Sequence, residues 1–269
     1  MAAQKQKVNL ETGSVEESLF IPLIVKAKES KRIDSLFTDS KSEEIVNNIK
    51  LDFNRFDGGN ISYHGILVRT TIIDGIANDF IKKNPEGIIL NLGAGLDTRI
   101  HRINCSNIYW YDIDLPEVIE LRRMFFNESE RVRFISKSLF DLSWVNDIDI
   151  DLNKPVLIIA EGLLMYFTES ELKTVLNCLV EKFPNAEMCF DVIHKYFVGK
   201  AISSKFKWGI EKANEIEHLN SRIRLVKQWS VGDYHKNRQA LFFRIMNIFH
   251  STRNRSQILF IKWGQDKNI

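Results

Sequence analysis

At 269 residues, with 44% hydrophobic and 27% charged residues, the chain has an ordinary globular composition and is long enough to bury a sizeable core. Its formal net charge of +2 argues against an obligate nucleic-acid-binding protein, because no strong positive field would attract phosphates. The apolar run from Leu19 to Val25 is far too short to span a bilayer. Three scattered cysteines, Cys105, Cys178 and Cys189, predict reduced thiols in a cytoplasmic protein, with no disulfide framework and no metal site.

The N-terminal region, residues 1–86, is predicted to form a helical lid packed on the rest of the chain. Within residues 14–50, apolar side chains recur every four positions, as on one face of a helix that Pro22 breaks or restarts. A second helix is predicted over Ser42–Ile49 and a third over Leu67–Lys82.

Strands and helices alternate from residue 87 onward, which is typical of a doubly wound parallel sheet. The sequence predicts strands at 88–92, 107–112, 132–136, 155–160 and 186–193, with helices at 116–126 and 169–182. A charge-rich helical insertion is predicted at 195–220, followed by a strand Arg222–Gln228, a helix Asp233–Phe249 and a strand Ser256–Trp263. The core, residues 87–269, is therefore predicted to be an α/β domain with a mostly parallel, seven-stranded sheet and an antiparallel C-terminal edge.

A glycine turn follows the first predicted strand, in the stretch Asn91-Leu-Gly-Ala-Gly-Leu-Asp-Thr98. Gly93, Ala94 and Gly95 would let the backbone approach a bulky ligand without a large side chain in the way. A dinucleotide site favours a third glycine at the position of Thr98, so a cofactor with an adenosine and no phosphates fits better. The pair of glycines is a weak signal alone, because many such pairs are ordinary tight turns.

Two acids end the second predicted strand, about twenty residues after the glycine turn. Asp112 and Asp114 lie two positions apart, so on a strand they share a face. An acid at this strand tip can accept hydrogen bonds from both hydroxyls of a ribose. The alternative is that these acids only cap the helix beginning at Pro116.

With these motifs in place, the chain resembles the leucine carboxyl methyltransferase superfamily, in particular its bacterial branch related to polyketide O-methyltransferases. The blocks that carry the resemblance run in the family's order over about residues 15–195 and include Leu92-Gly-Ala-Gly-Leu-Asp-Thr-Arg99, Asp112-Ile-Asp-Leu-Pro-Glu-Val118 and Ala160-Glu-Gly-Leu-Leu-Met-Tyr-Phe167. The resemblance implies a Rossmann-like class I methyltransferase fold and S-adenosylmethionine as cofactor.

The resemblance also implies roles for single residues. Arg69 matches the arginine that pairs with the methionine carboxylate of the cofactor, and its planar guanidinium suits a carboxylate. Gly93 and Gly95 match the glycines beneath the cofactor, and Asp114 matches the acid that binds its ribose. Glu161 matches a glutamate near the cofactor's amino group. The alternatives are a solvated helix arginine for Arg69 and a helix-start acid for Glu161.

The chain departs from the family pattern at two places. After the third strand the family has Asp-Leu, whose acid receives the adenine amino group, whereas this chain has Ser138-Leu139. Ser138 takes that role as a neutral acceptor, or Asp141 reaches it from one helical turn away. In the N-terminal block, Lys26 stands where many relatives have arginine.

The function expected from these features is S-adenosylmethionine-dependent O-methylation of a small-molecule acceptor, with a carboxylate favoured over a hydroxyl. A carboxylate is ionised at pH 7 and needs no general base, and the motif blocks contain no histidine. A hydroxyl acceptor would need a base, for which His194 is the candidate; its alternative is an exposed loop histidine. Phe197, Phe206 and Trp208 in the insertion suggest an apolar or aromatic acceptor, unless they are core residues. The competing functions are an NAD-dependent oxidoreductase and a non-catalytic, methyltransferase-like binding protein.

Overall fold

The structure is a computed structural model that describes residues 19–49, 59–103, 105–149, 151, 154–200, 205–247 and 254–264. Its centre is one seven-stranded sheet in the order β3-β2-β1-β4-β5-β7-β6. The strands are β1 Ile88–Leu92, β2 Tyr109–Asp114, β3 Val132–Ser136, β4 Val156–Ala160, β5 Glu187–Ile193, β6 Arg224–Ser230 and β7 Ser256–Lys262. Each predicted strand is present, with its ends shifted by at most two residues.

The first five strands are parallel, and β7 alone runs against its neighbours, between β5 and β6. The two central strands β1 and β4 are buried at every position, as expected for parallel strands covered on both faces. The predicted mostly parallel sheet with an antiparallel C-terminal edge is confirmed. Strand order reverses between β1 and β4, and at such a reversal the carboxyl ends of parallel strands leave room for a ligand.

The helices are α1 Phe20–Ser30, α2 Ser40–Asn48, α3 Gly59–Lys83, α4 Pro116–Arg123, α5 Glu169–Lys182 and α6 Leu241–Met246. Pro22 does not break α1, because it lies in the first turn, where the missing amide hydrogen has no intrahelical acceptor. Pro116 begins α4 as predicted. Thr168 and Glu171 form a reciprocal capping box at the start of α5.

Two segments differ from the prediction. The insertion at 195–220 is not an α-helical unit: in its described part the helical structure consists of the short 3-10 helices Lys195–Phe197 and Ala213–His218. The predicted helix Asp233–Phe249 is reduced to α6, and a 3-10 helix Lys236–Arg238 precedes it; residues 248 and 249 lie outside the described residues. Short 3-10 turns carry no 3.6-residue apolar repeat, so the sequence pattern does not distinguish them from longer helices.

The N-terminal helices pack over the glycine turn. Phe20, Leu23 and Ile24 of α1 are buried in one cluster with Ile45 of α2 and with Leu96, which follows the turn. These contacts bring α1 to the carboxyl ends of the parallel strands. The predicted helical character of residues 14–18 lies outside the described residues. No helix in the described ranges is both long and apolar enough to cross a bilayer.

Candidate active site

A cavity of about 450 Å³ opens at the carboxyl ends of β1, β2 and β4. Its position follows from the strand order, because the loops after these three strands diverge there. The cavity is lined by Leu19, Pro22, Lys26, Arg69, Asn91, Gly93, Ala94, Gly95, Leu96, Asp97, Asp114, Leu115, Glu117, Val118, Glu161, Gly162, Leu163, Met165, Tyr166 and Phe206. Six of the predicted site residues are thereby brought together: Arg69, Gly93, Ala94, Gly95, Asp114 and Glu161.

The glycine turn needs both of its glycines. Gly93 and Gly95 have φ angles of +62° and +48°, which side-chain-bearing residues rarely adopt. A Cβ on Gly93 would lie 2.7 Å from Cδ1 of Leu163, and one on Gly95 would lie 3.2 Å from Cδ2 of Leu19. The turn therefore offers bare backbone to the cavity, as a closely approaching ligand requires.

Asp114 fixes the turn from the end of β2. Its Oδ2 accepts a hydrogen bond from Gly95 N at 2.7 Å, and its Oδ1 accepts one from Leu115 N at 2.8 Å. Burial raises the pKa of Asp114, and the donated hydrogen bonds from the two backbone amides offset part of that rise. A carboxylate has about four lone-pair positions, so two remain for ligand hydroxyls.

A buried ion pair lies on the β4 side of the cavity. Arg69 Nε donates to Glu161 Oε1 at 2.8 Å, and Arg69 Nη1 donates to Asp191 Oδ2 at 3.3 Å. Asp191 Oδ1 in turn accepts from Gly162 N at 2.5 Å. Gly162 has a φ of +70°, and a Cβ there would lie 3.3 Å from Arg69 Nη2. Arg69 is thus held between the ends of β4 and β5, which excludes the solvated helix arginine.

The ion pair continues into residues whose roles the sequence did not reveal. Arg99, with no exposed side-chain surface, donates to Asp74 Oδ1 at 2.7 Å and also to Asp97 and Glu161. Lys26 of α1 donates to Asp97 Oδ1 at 3.2 Å. The sequence did contain one signal for these contacts, the Asp97-Thr98-Arg99 ending of the glycine motif. An acid and an arginine beside a buried turn require oppositely charged partners.

These cations control the ionisation of the cavity's acids. Burial alone raises the pKa of Glu161, but Lys26, Arg99 and Arg69 outweigh burial and hold that pKa below its usual range. The side chain of Asp97 is 11% exposed, and Arg99 and Lys26 hold its pKa far below its usual range. Both carboxylates are therefore anions at neutral pH, with their charge already compensated.

The second expected acid, Asp112, has partners within the sheet and on α4. Asp112 does not line the cavity: it is fully buried and accepts hydrogen bonds from Asn91 Nδ2 at 2.8 Å, Trp110 Nε1 at 2.9 Å and Arg122 Nε at 3.0 Å. Asp112 and Asp114 differ because Asp114 is the last residue of β2, where the chain turns away from the sheet. Asp114 alone therefore reaches the cavity.

The candidate adenine contacts also lie away from the lining. Ser138 Oγ accepts from Phe140 N at 3.2 Å, and Leu139 is buried in the main core. Asp141 instead caps the next 3-10 helix, accepting from Ser143 N at 3.2 Å. The structure therefore brings none of these three residues to the cavity, since local caps and core packing engage them.

His194 is not brought to the cavity either. It is nearly buried, and its Nδ1 accepts from Tyr196 N at 3.1 Å, as the cap of the 3-10 helix after β5. Its burial excludes the exposed loop histidine, and its role as a base for a hydroxyl acceptor stays a prediction. Of the aromatic residues in the insertion, Phe206 lines the cavity, whereas Trp208 belongs to the main core.

These features fit a cofactor that has an adenosine and an amino acid but no phosphates. The bare turn and the free lone pairs of Asp114 suit a ribose, and the ionised Glu161 beside Arg69 suits an amino acid. In the sheet, the antiparallel strand β7 lies between β5 and β6. This strand order and the site together define the protein as a class I methyltransferase. The described residues contain no cluster of acids, histidines and cysteines able to hold a metal ion.

Comparison with known proteins identifies the family. Residues 20–180, more than half of the chain, match the leucine carboxyl methyltransferase family. The chain is 27% identical over 228 residues to the tetracenomycin polyketide synthesis O-methyltransferase TcmP of Streptomyces glaucescens, covering 81% of this chain and 84% of that protein. It is 30% identical over 241 residues to the S-adenosyl-L-methionine-dependent methyltransferase dpfgK of Gibberella zeae, covering 79% and 80%.

A solved structure supports the fold. The crystal structure of a DUF574 family protein from Streptomyces avermitilis superposes with a TM-score of 0.60 at 12% identity, covering 92% of this chain and 97% of that one. The chain belongs to the leucine carboxyl methyltransferase family. It is an S-adenosylmethionine-dependent methyltransferase, and this assignment replaces the NAD-dependent oxidoreductase as an interpretation of the glycine turn.

Proposed function

We propose that the protein transfers the methyl group of S-adenosylmethionine to an oxygen of a small-molecule acceptor, and that this oxygen belongs to a carboxylate. The observation that carries the proposal is that the acids enclosed by the cavity, among the described residues that line it, are already engaged, whereas the remaining acid, Glu117, is exposed to solvent. The described lining residues include no histidine. The three partly buried acids are engaged, Asp97 and Glu161 by cations and Asp114 by two backbone amides.

The engaged acids are poor bases for physical reasons. The low pKa values of Asp97 and Glu161 mean that neither would take a proton from a hydroxyl near neutral pH. Asp114 has a raised pKa, but we assign its remaining lone pairs to the ribose. A carboxylate acceptor, with a pKa near 4, brings its own negative charge and needs no proton removed.

We assign the ends of the cofactor to opposite sides of the cavity. The ribose is assigned to Asp114, next to Gly93, Ala94 and Gly95, and the amino-acid end to Arg69 and Glu161. When bound, S-adenosylmethionine supplies a methyl group on a positively charged sulfonium. The task of the chain is then to hold the acceptor oxygen in line with that methyl group, and such positioning is worth roughly 7–11 kcal/mol.

The remaining wall of the cavity supports an apolar acceptor body. Leu19, Pro22 and Met165 line it, and the rings of Tyr166 and Phe206 meet edge to face with their centroids 5.1 Å apart. Met165 O also accepts from the amides of residues 207 and 208 at 2.8 and 3.3 Å, which ties the insertion to the cavity. We infer that the N-terminal helices and this insertion form the lid over the acceptor. The similarity to TcmP, a tetracenomycin polyketide synthesis O-methyltransferase, supports an acceptor of this kind.

The test is methyl transfer from radiolabelled S-adenosylmethionine to paired acceptors of the same apolar skeleton, one member bearing a carboxylate and the other a hydroxyl. Methyl esters release methanol in mild alkali and methyl ethers do not, so alkaline lability of the product identifies the methylated group. We expect alkali-labile product from the carboxylate members. A matched control variant is Tyr166→Phe. It keeps the aromatic ring in the cavity wall and removes the tyrosine hydroxyl, so it tests whether that hydroxyl acts as a proton acceptor.

Two results would contradict the proposal. Alkali-stable product formed mainly from the hydroxyl members would assign the enzyme to ether formation. Tight cofactor binding without turnover over a broad acceptor panel would favour the non-catalytic binding protein.

A further inference from the structure

A buried arginine lies behind the glycine turn, outside the cofactor cavity. Arg122, in the last turn of α4, is 1% exposed. Its Nε and Nη2 contact Asp112 Oδ2 at 3.0 and 2.7 Å. Asp112 Oδ1 accepts from Asn91 and Trp110, so the carboxylate is held from two sides. The rings of Phe126 and Phe134 cover the guanidinium at 4.2 and 5.4 Å.

The third nitrogen of Arg122 binds the glycine turn itself. Nη1 donates to Gly95 O and to Asp97 O, each at 3.0 Å. These carbonyls need a side-chain donor because the segment after β1 forms only the three-residue 3-10 helix Arg99–His101. A longer α-helix starting at the turn would bond such carbonyls through its own backbone.

We propose that Arg122 is a positioning residue for the cofactor site and that Asp112 acts through it. Gly95 is then held at both of its polar groups, its amide by Asp114 at 2.7 Å and its carbonyl by Arg122. The same contact fixes the backbone of Asp97, whose side chain binds Lys26 and Arg99. The arginine thus sets the turn's conformation without touching the cofactor.

The structure also provides a route for a chemical test. A second cavity, of about 590 Å³, is lined in part by Arg122 and Asp112. Its lining includes His101, Phe126 and Phe134. When the arginine side chain is truncated, a small planar cation can enter from this cavity and bridge Asp112 to the two carbonyls.

The experiment compares Arg122→Ala and Arg122→Lys with Arg123→Ala, a matched control one position along. Arg123 is 45% exposed at its side chain and pairs with Glu128. Two quantities are measured on the full chain: the Kd of S-adenosylhomocysteine by calorimetry, and hydrogen–deuterium exchange of peptides covering residues 93–98 without cofactor. Guanidinium chloride at millimolar concentration is then added, with sodium chloride as the ionic-strength control.

We expect Arg122→Ala to raise the Kd about tenfold or more, equivalent to about 1.4 kcal/mol, and Arg123→Ala to stay within about twofold. Guanidinium should restore much of the lost affinity and sodium chloride should not. Arg122→Lys keeps the charge opposite Asp112, so the fold is retained even where the alanine variant does not fold. In Arg122→Lys, a single ammonium nitrogen cannot take the separate positions from which the guanidinium bonds Asp112 and the two carbonyls. Hydrogen–deuterium exchange of residues 93–98 should therefore be faster in this variant, while β4 and β5 stay protected.

The proposal is overturned if Arg122→Lys leaves both the Kd and the exchange of the turn unchanged. It is also overturned if exchange accelerates equally across the whole sheet, since that would show a general loss of stability. A purely structural role would speed exchange across the sheet and not at residues 93–98 alone.

Discussion

The sharpest test of the assigned cofactor site is Asp114→Asn. The two oxygens of Asp114 already accept from Gly95 N and Leu115 N, and two lone-pair positions remain for a ribose. An amide of the same shape must turn its NH2 group toward one of these backbone donors. Two charge-assisted hydrogen bonds at about 1.5 kcal/mol each give a loss of about 3 kcal/mol, or roughly 100-fold in Kd.

The assay is calorimetric binding of S-adenosylhomocysteine, with Glu117→Gln as the matched control. Glu117 lines the same cavity but is exposed, so the loss of its charge should change the Kd little. Burial raises the pKa of Asp114, so affinity in the unmutated protein should fall as the pH drops toward that pKa. The asparagine variant should lack this dependence. Equal Kd values for the two variants would refute the assignment of the ribose to Asp114.

Three further predictions follow from individual contacts. Arg69→Lys should weaken S-adenosylhomocysteine binding about tenfold in calorimetry, because an ammonium cannot reproduce a guanidinium's paired contacts; unchanged affinity would place Arg69 outside the site. When methyl transfer limits the rate, the pH–rate profile should be flat from about pH 6 to 8 both before and after His194→Ala, since a carboxylate acceptor titrates near pH 4. If the rate of the unmutated protein rises with pH in this range and His194→Ala removes the rise, His194 acts as a base. Burial raises the pKa of Glu29, but hydrogen bonds from Arg238, Leu36 N and Tyr63 bring that pKa below 4.5. Glu29→Gln should therefore lower the free energy of unfolding by about 2 kcal/mol at pH 7 and by less toward pH 4. If denaturant titrations show the same loss at every pH, ionisation of Glu29 is not the cause.

The sheet could be predicted from the sequence because its signals are local. Leu157, Ile158 and Ile159 of β4 form an apolar run that fits only a strand covered on both faces. The position of β7 between β5 and β6 is a long-range pairing, which no short window records. The segment around α6 was extended too far because its apolar residues Leu241 and Ile245 are exposed and face no core.

The site was predictable where a residue type is required by its own backbone or position. Gly93 and Gly95 have positive φ angles, and Asp114 ends a strand beside them. Contacts between distant segments were not predictable. Glu29 pairs with Arg238, 209 positions away, and no sequence pattern joins them. The contact of Asp112 with Arg122 was unpredictable for the same reason, since Arg122 lies on another element.

The ion pairs around the cavity bear on how the cofactor's amino acid binds. Glu161 faces Arg69 and Arg99, and Arg69 also faces Asp191, so Glu161 and Arg69 each have two oppositely charged neighbours. Removing one member leaves a buried charge uncompensated, at a cost of about 3–5 kcal/mol, so simple truncations would measure stability more than cofactor contacts. The same pairing holds Arg69 in one orientation before any ligand arrives. The entropy cost of ordering the Arg69 side chain is then met during folding and not during binding. More of the energy of its contacts with the cofactor therefore contributes to affinity.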